Sequence, residues 1–532
     1  MPNMYVAGCA QNCKSFAAVA DAQAACAADA TCGGLTSQPN GVGPWELREG
    51  TSAAGSPSGE AAYVITNALA CHGDPPIVPD PMWMIRGKAA YDGLARTDPQ
   101  AIWSFQGWAI IGWNQHDQGE SFRGFVDAIP DGKFVVIDMS TDGTGEWEQW
   151  NNASFFGAPF VWTTLHDFGG TNGLKGDLAR VNRLPFSGMP PLGNTTVMGT
   201  GMTPEGIDQN PVYYEYVTKN NMRTGEVADI TGEIVLRSHR RYGLAQPNAA
   251  VTQAWSLLVN SSYAQDLSVQ DSTGVPHFPG GSSQFEGDRF TPTPRLCLVW
   301  QAWGQLLAAA PAVDPTLETF RYDLVNTGRE LLAQLSTPMS QNFSDAIKAA
   351  APLDAARITQ TGQDYVNLLL DVDQLVATDS AFLIGGYIAA ARAWGASSND
   401  CFVDDLSHPI ACPDFYEYNA RTQLTTWIPT PAGATVKPDG PDDYASKHWS
   451  GLIEYYYAAR AKGFLDQALL DAAEGKALNT TATNLMMAQL AYNFQLNSFD
   501  VKFPTEPVGD FVAISKVMRL KYAPYYAPAC GS

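Results

Sequence analysis

The stretch Thr196-Val-Met-Gly-Thr-Gly-Met-Thr-Pro-Glu-Gly-Ile-Asp-Gln-Asn210 decides how this chain is read. Thr196 to Thr200 has the composition of a short strand, and the glycine-punctuated turn after it presents a carboxylate, Glu205. Strands that hand a charged side chain to the loop past their C-terminal ends are how α/β barrels assemble their chemistry. A glutamate in a Gly/Pro-rich turn is more often merely solvated, so the neighbouring segments decide between the two readings.

Upstream, strand-like and helix-like segments alternate. Arg86 to Arg96 reads as a helix and Ala101 to Trp108 as an apolar strand. Ser121 to Ile129 is a second helix, and Lys133 to Asp138 a second strand. Phe160 to His166 is a third strand, and Gly173 to Val181 is helical. Buried apolar strands alternating with helices imply parallel β-α units. With Thr196–Thr200 there are four strands, and each delivers a distinctive side chain at or just past its C-terminal end: Trp108, Asp138, His166 and Glu205. Residues 83–216 are therefore read as a partial (β/α)8-like barrel carrying the site. Four units cannot close an eight-stranded barrel, so two edge strands and a sheet face are left without their usual partners.

Downstream the periodicity turns helical. Leu296, Val299, Trp300, Trp303 and Leu307 follow the i, i+3, i+4, i+7 rule, as do Tyr365, Leu368, Leu369 and Val372. Asp314-Pro315 reads as the cap and first turn of a helix running to Leu335, and long helices also fit Asp443–Ala473 and Asn484–Leu496. Residues 217–532 are read as an all-α domain with a loop at Ser397–Asp414, pinned by Cys401 and Cys412. Residues 74–82, rich in proline, are a stiff linker. Residues 1–73 are a small Cys-rich α+β module. The fold class is thus α/β plus all-α, preceded by that module.

Composition narrows the partners. A formal charge of −22 over 532 residues argues against nucleic acid and anionic membranes, which attract basic patches, and no apolar run is long enough to span a bilayer. Of nine cysteines, Cys9, Cys13, Cys26, Cys32 and Cys71 crowd the first module, while Cys297 and Cys530 stand alone. The crowding fits disulfides in an oxidising compartment, as do acceptor sequons at Asn152, Asn194, Asn260, Asn342 and Asn479. The first residues lack the basic head and apolar core of an export signal, so the true N-terminus is expected to be missing. Seven histidines show no ligand spacing, and neither a metal nor a cofactor is expected. No phosphate loop, Gly-x-Ser-x-Gly elbow or His-Glu-x-x-His pattern is present.

Several motifs together resemble one family. Trp103-Ser-Phe-Gln-Gly-Trp108, Trp162-Thr-Thr-Leu-His-Asp-Phe-Gly-Gly170, Gly199-Thr-Gly-Met-Thr-Pro-Glu-Gly-Ile-Asp-Gln-Asn210 and Arg240-Arg-Tyr-Gly243 look like the α-N-acetylglucosaminidase family of glycoside hydrolases. Asn419-Ala-Arg-Thr-Gln-Leu-Thr-Thr-Trp427 and Asp443-Tyr-Ala-Ser-Lys-His-Trp449 extend the resemblance into the helical domain. It implies a barrel followed by an all-α domain, and a retaining exo-enzyme acting on terminal α-linked N-acetylglucosamine in glycans such as heparan sulfate. It implies a lysosomal or secreted location. Carried over by motif, Glu205 is the nucleophile, and Trp108, His166, Trp427 and Tyr444 bind the sugar. The first module resembles the PAN/apple-like modules of extracellular proteins.

There are departures. The family carries an Asn-Glu pair at an earlier strand end, whose Glu is the acid/base; no such stretch occurs here, and Asp167 stands where Asn is usual. A retaining glycosidase needs two carboxyls about 5–5.5 Å apart. In an α-linked 2-acetamido sugar the acetamido group lies on the leaving-group side and cannot attack from behind, so an enzyme carboxylate must. Asp138 is read as a structural or hydroxyl-binding carboxylate rather than as a substitute proton donor. Three readings follow: an incomplete gene, a chain that pairs with itself or another, or a non-catalytic glycan-binding protein. Oligomeric state is not legible.

Overall fold

The computed structural model describes residues 4–6, 14–28, 31–32, 34–37, 44–48, 53–55, 62–64, 78–109, 119–139, 141, 147, 155–167, 169–170, 173–187, 196–206, 210–264, 285–286, 290–398, 411–427, 443–497 and 500–531. The chain forms two units. The first comprises Met1–Met139, Gly145–Trp162 and Gly188–Gly199, and the second comprises Ser140–Thr144, Thr163–Ser187 and Thr200–Ser532.

The first unit begins with short strands: β1 (Met4–Val6), β2 (Ser15–Phe16), β3 (Gly34–Ser37), β4 (Trp45–Arg48), β5 (Ala53–Gly55) and β6 (Ala62–Val64), with helix α1 (Val19–Ala27) after β2. Antiparallel pairing gives the order β2-β4-β3-β6, and β1 pairs with β5. The core is Ala22, Cys26, Cys32, Leu35, Trp45 and Leu47, closed by a Cys26–Cys32 disulfide. The Ala-rich run Ser15–Ala28, which reads as one helix, becomes helical only from Val19, because Ser15 and Phe16 pair with Glu46 and Trp45 as an edge strand. Cys9, Cys13 and Cys71 lie outside the described residues.

Helix α2 (Pro81–Thr97) follows, five residues ahead of the predicted start. The Asp80 carboxylate caps it by accepting from the Met82 N–H at 2.7 Å, and Pro81 fills the first turn, where no N–H is needed. The last residues of the expected linker are therefore helical. Next come β7 (Trp103–Gln106), α3 (Glu120–Asp127), β8 (Phe134–Asp138) and β9 (Phe160–Thr164). Then follow α4 (Leu178–Ser187), later than the predicted Gly173–Val181, and β10 (Val197–Met202). The strands lie in the order β7-β8-β9-β10, with β7/β8 and β8/β9 parallel. Sequential parallel strands are the arrangement of successive barrel units. Phe122, Phe125, Phe134, Val136, Phe155 and Phe160 form the core between sheet and helices. Gly124 permits the approach of the Asp80 backbone, where a Cβ would collide.

The second unit is helical: α5 (Pro211–Asn220), α6 (Ile230–Arg241), α7 (Ala249–Val259), α8 (Pro294–Ala309), α9 (Glu318–Ile347), α10 (Ala355–Val376), α11 (Ile384–Ser397), α12 (Cys412–Gln423), α13 (Ala459–Ala473), α14 (Thr480–Gln495) and α15 (Phe511–Cys530). A two-residue hairpin, β11 (Phe285–Glu286) and β12 (Thr291–Pro292), precedes α8. Asp314 does not cap α9. Its carboxylate accepts from the Thr316 N–H in a turn, and the helix begins at Glu318. The helix predicted from Asp443 begins only after Gly451, as a π-helical turn (Ile453–Ala458) running into α13. Positive φ at Asp443, Ser446 and Gly451 holds the preceding residues as a loop.

Cys297 and Cys530, which in the sequence stand alone, form a disulfide across a separation of 233 residues. Helical periodicity carries no signal for so distant a pairing. Beside it the Trp300 ring stacks on Tyr526 at 4.8 Å, and the Arg519 guanidinium lies over the Trp300 ring at 3.8 Å. Removing this crosslink with Cys297→Ala is expected to cost about 3–5 kcal/mol, seen as a lower melting temperature that falls less on adding reductant than the wild type does. Cys412 is also disulfide-bonded; Cys401 lies outside the described residues.

Candidate active site

The site lies within the second unit, in the turn just past β10. The Thr203 N–H donates to the Thr164 carbonyl at 2.9 Å just past β10, extending the strand pairing to the turn that carries Glu205. Glu205 Oε2 accepts two hydrogen bonds: from the Gly169 N–H at 2.5 Å and from the Tyr444 hydroxyl at 2.6 Å. One carboxylate oxygen is thus held by a barrel loop and by a loop of the helical region at once. Gly169 has φ +62° and lies so close to the Tyr444 backbone that a Cβ would run into its carbonyl. Only glycine meets both demands.

Glu205 faces a cavity of about 1010 Å³, whose lining includes Tyr214, Tyr387, Gln423, Trp427, Lys447 and Trp449. Its size is that of a small-molecule site rather than a packing defect. The Trp427 ring meets the Tyr444 ring edge-on at 5.0 Å. Trp427 sits just past α12 at φ +64°, held by its N–H to the Thr422 carbonyl at 3.0 Å. Lys447 is buried, its Nζ 5.1 Å from the Trp449 ring centre. Aromatic faces beside fixed polar groups suit a pyranose, whose C–H faces are apolar and whose rim is hydroxylic.

Glu205, Trp427 and Tyr444 are therefore brought together. His166 is not among the cavity-lining residues. It is buried, stacked on Tyr213 at 4.0 Å, with Nε2 accepting from Asn210 Nδ2 at 2.7 Å. Asn210 Nδ2 also donates to the Lys175 carbonyl. His166 thus ties the end of β9 to Asn210 and Tyr213 at the start of α5. Trp108 follows β7 in the first unit, 50% exposed, and is not among the lining residues. Asp138 is fully buried and accepts from the Trp147 N–H at 3.0 Å, a structural bond.

Burial, reinforced by the Lys175 charge, holds the His166 imidazole well below its ordinary 6.5. Its neutral form is therefore the folded one. A value depressed on folding makes the His166 contribution to stability complete above 6.5 and lost as pH falls through the folded value. His166→Gln is expected to flatten the acid side of a melting-temperature profile taken between about pH 7 and about pH 4. A wild-type profile of the same shape would contradict this.

Gly169, Lys447 and Trp449 were not singled out from sequence, although the first lies in the Trp162–Gly170 motif and the others in Asp443–Trp449. Tyr387 and Gln423 lie on helices remote in sequence, where an aromatic or amide position carries no mark of a cavity. Among the described residues no group of His, Cys, Asp and Glu is arranged to hold a metal ion, and no helix is long and apolar enough to cross a membrane.

Comparison with known proteins gives consistent matches. A family model described as the Alpha-N-acetylglucosaminidase (NAGLU) C-terminal domain matches residues 237–521, and one described as the NAGLU tim-barrel domain matches residues 78–224. The human Alpha-N-acetylglucosaminidase is 32% identical over 438 residues, covering 82% of this chain and 54% of that protein. The chain thus spans about half the length of the curated relative it matches. A family 89 glycoside hydrolase from Clostridium perfringens, solved with PUGNAc, is similar in fold at a TM-score of 0.66 and 20% identity, covering 84% of this chain and 46% of that one. A Clostridium perfringens variant with two Glu-to-Gln substitutions, solved with its substrate GlcNAc-alpha-1,4-galactose, gives 0.65 and 20%, covering 82% and 46%.

Proposed function

The chain belongs to the α-N-acetylglucosaminidase family, and from that premise we propose that it acts on terminal α-linked N-acetylglucosamine in glycans as a retaining exo-glycosidase, with Glu205 as the nucleophile. The observation that carries this reading is the anchoring of Glu205 Oε2 by Tyr444 and Gly169 at the edge of an aromatic-lined cavity. Two donors on one oxygen orient the carboxylate and leave the other oxygen to attack. Attack must come from the protein, since the acetamido group of an α-glycoside lies on the leaving-group side.

Trp427 and Tyr444 supply the sugar's apolar contact from the helical region. His166 is proposed to hold Asn210 and the start of α5 in place rather than to touch sugar. The first module is proposed as a PAN/apple-like adhesion module. The disulfides Cys26–Cys32 and Cys297–Cys530 favour an oxidising compartment, secreted or lysosomal.

The chain's own sequence lacks the family's Asn-Glu acid/base pair, so turnover should depend on the leaving group. Protonation by a general acid is worth about 10²–10⁴-fold, and a good leaving group needs little of it. The test is hydrolysis of a dinitrophenyl α-N-acetylglucosaminide beside an alkyl one, with the product anomer followed by NMR. Turnover of the first, giving α-N-acetylglucosamine, supports the reading. Binding without turnover of either favours a non-catalytic glycan-binding protein. Tyr444→Phe removes a hydrogen bond to a charged acceptor, worth about 1.5–3 kcal/mol, and is expected to lower kcat by about 10- to 100-fold with little change in melting temperature.

A further inference from the structure

We infer that Arg329, acting through His448, is a positioning residue for Tyr444, and that its neighbour Glu330 holds the loop carrying Gly169. The proposal rests on the reading of Glu205 as nucleophile. Arg329 and Glu330 are adjacent on α9 and both buried, Arg329 completely. Arg329 Nε donates to Asn326 Oδ1 at 2.8 Å, Nη2 to Glu330 Oε2 at 3.0 Å, and Nη1 to His448 Nδ1 at 2.8 Å. A guanidinium only donates, so His448 must accept at Nδ1, which fixes its ring orientation and keeps that nitrogen unprotonated. His448 is four residues from Tyr444 in the same loop.

Glu330 reaches the other side of the site. Its Oε2 also accepts from the Leu174 N–H at 3.0 Å, and its Oε1 accepts from Gln334 Nε2 at 2.9 Å. Leu174 is five residues past Gly169. Two neighbouring side chains of one helix therefore grip the two segments that donate to Glu205. The segments also touch, because Gly169 abuts the Tyr444 backbone, so a shift of one is passed to the other. Burying an arginine beside a glutamate is costly in desolvation, and apolar residues of similar volume often serve stability as well. What apolar residues cannot do is aim two loops. Hydrogen bonds weaken steeply with misalignment, and a functional constellation tolerates only about half an ångström of drift.

The test uses Arg329→Lys, which keeps the charge beside Glu330 but loses the planar fork that reaches His448 at the same time, and His448→Gln as a second variant should the first not fold. Each is made alone and with Tyr444→Phe. Singly, each is expected to lower kcat on the dinitrophenyl glycoside by about tenfold, the low end of losing one charge-assisted hydrogen bond, with KM changed less. Combined with Tyr444→Phe, the further loss should shrink to less than about twofold, since contacting residues acting by one route are non-additive. A merely structural role would give additive losses and would overturn the proposal. A crystal structure of Arg329→Lys supplies a readout free of turnover. The Tyr444 Oη to Glu205 Oε2 separation is expected to lengthen beyond hydrogen-bond range, and a separation unchanged from 2.6 Å would refute the positioning role. If the wild type turns nothing over, the nucleophile reading fails, while this distance still decides the positioning.

Discussion

Glu205→Gln should lower kcat on an activated α-N-acetylglucosaminide by about 10⁴-fold or more, the scale seen when a nucleophile is removed. The substitution keeps shape and keeps an amide oxygen able to accept from the Gly169 N–H and the Tyr444 hydroxyl, so the fold and the cavity should survive. What it removes is the charge that attacks the anomeric carbon. The melting temperature should therefore stay near wild type, and binding of N-acetylglucosamine should persist. Activity within tenfold of wild type would mean that another group attacks, and the nucleophile would have to be sought elsewhere in the cavity.

A stability effect as large as that of losing the Cys297–Cys530 crosslink is expected at Arg460. Its Nη1 lies 2.7 Å from Asp443 Oδ2 with both side chains buried, and its guanidinium sits over the Tyr456 and Tyr457 rings at 5.1 and 5.3 Å. Burial works against the Arg460 charge, but the Asp443 carboxylate outweighs it and holds the Arg460 value above its ordinary range. Arg460→Met strands a buried carboxylate at the residue that opens the Tyr444 loop with a positive φ. Breaking a buried pair on one side costs about 3–5 kcal/mol, which denaturant melts followed by circular dichroism should register. Asp443→Asn in the same chain should recover a large part, because the stranded charge is then gone. A loss under about 1 kcal/mol for Arg460→Met, the value of a surface pair, would show that the pair is solvated.

The alternation of apolar strands with helices before Glu205, and the helical stripes after Val217, were legible because burial imposes a period on sequence. Glu205, Trp427 and Tyr444 were picked out through recognisable motifs rather than through spacing, and in the structure Tyr444 bonds Glu205 and meets the Trp427 ring. What was not legible has physical reasons. Asp443–Trp449 reads as the start of a helix because nothing in its composition announces left-handed backbone at Asp443 and Ser446, yet that loop is what delivers Tyr444. Cys297 and Cys530 are joined by tertiary packing of α8 and α15, which no local pattern encodes. His166 stands just past a strand like a site residue, but it is buried, stacked on Tyr213 and bonded to Asn210. The Arg329–Glu330 pair looks in sequence like an ordinary solvated helix face, and only burial on α9 reveals it.

The most direct test of the nucleophile is covalent trapping. A 5-fluoro-α-N-acetylglucosaminyl fluoride leaves without needing a proton, and its ring fluorine slows breakdown of the glycosyl-enzyme. After incubation and proteolysis, mass spectrometry should find one added sugar on the peptide containing Glu205, and none in Glu205→Gln. A label on a different carboxylate, or no label on the wild-type chain, would contradict the assignment.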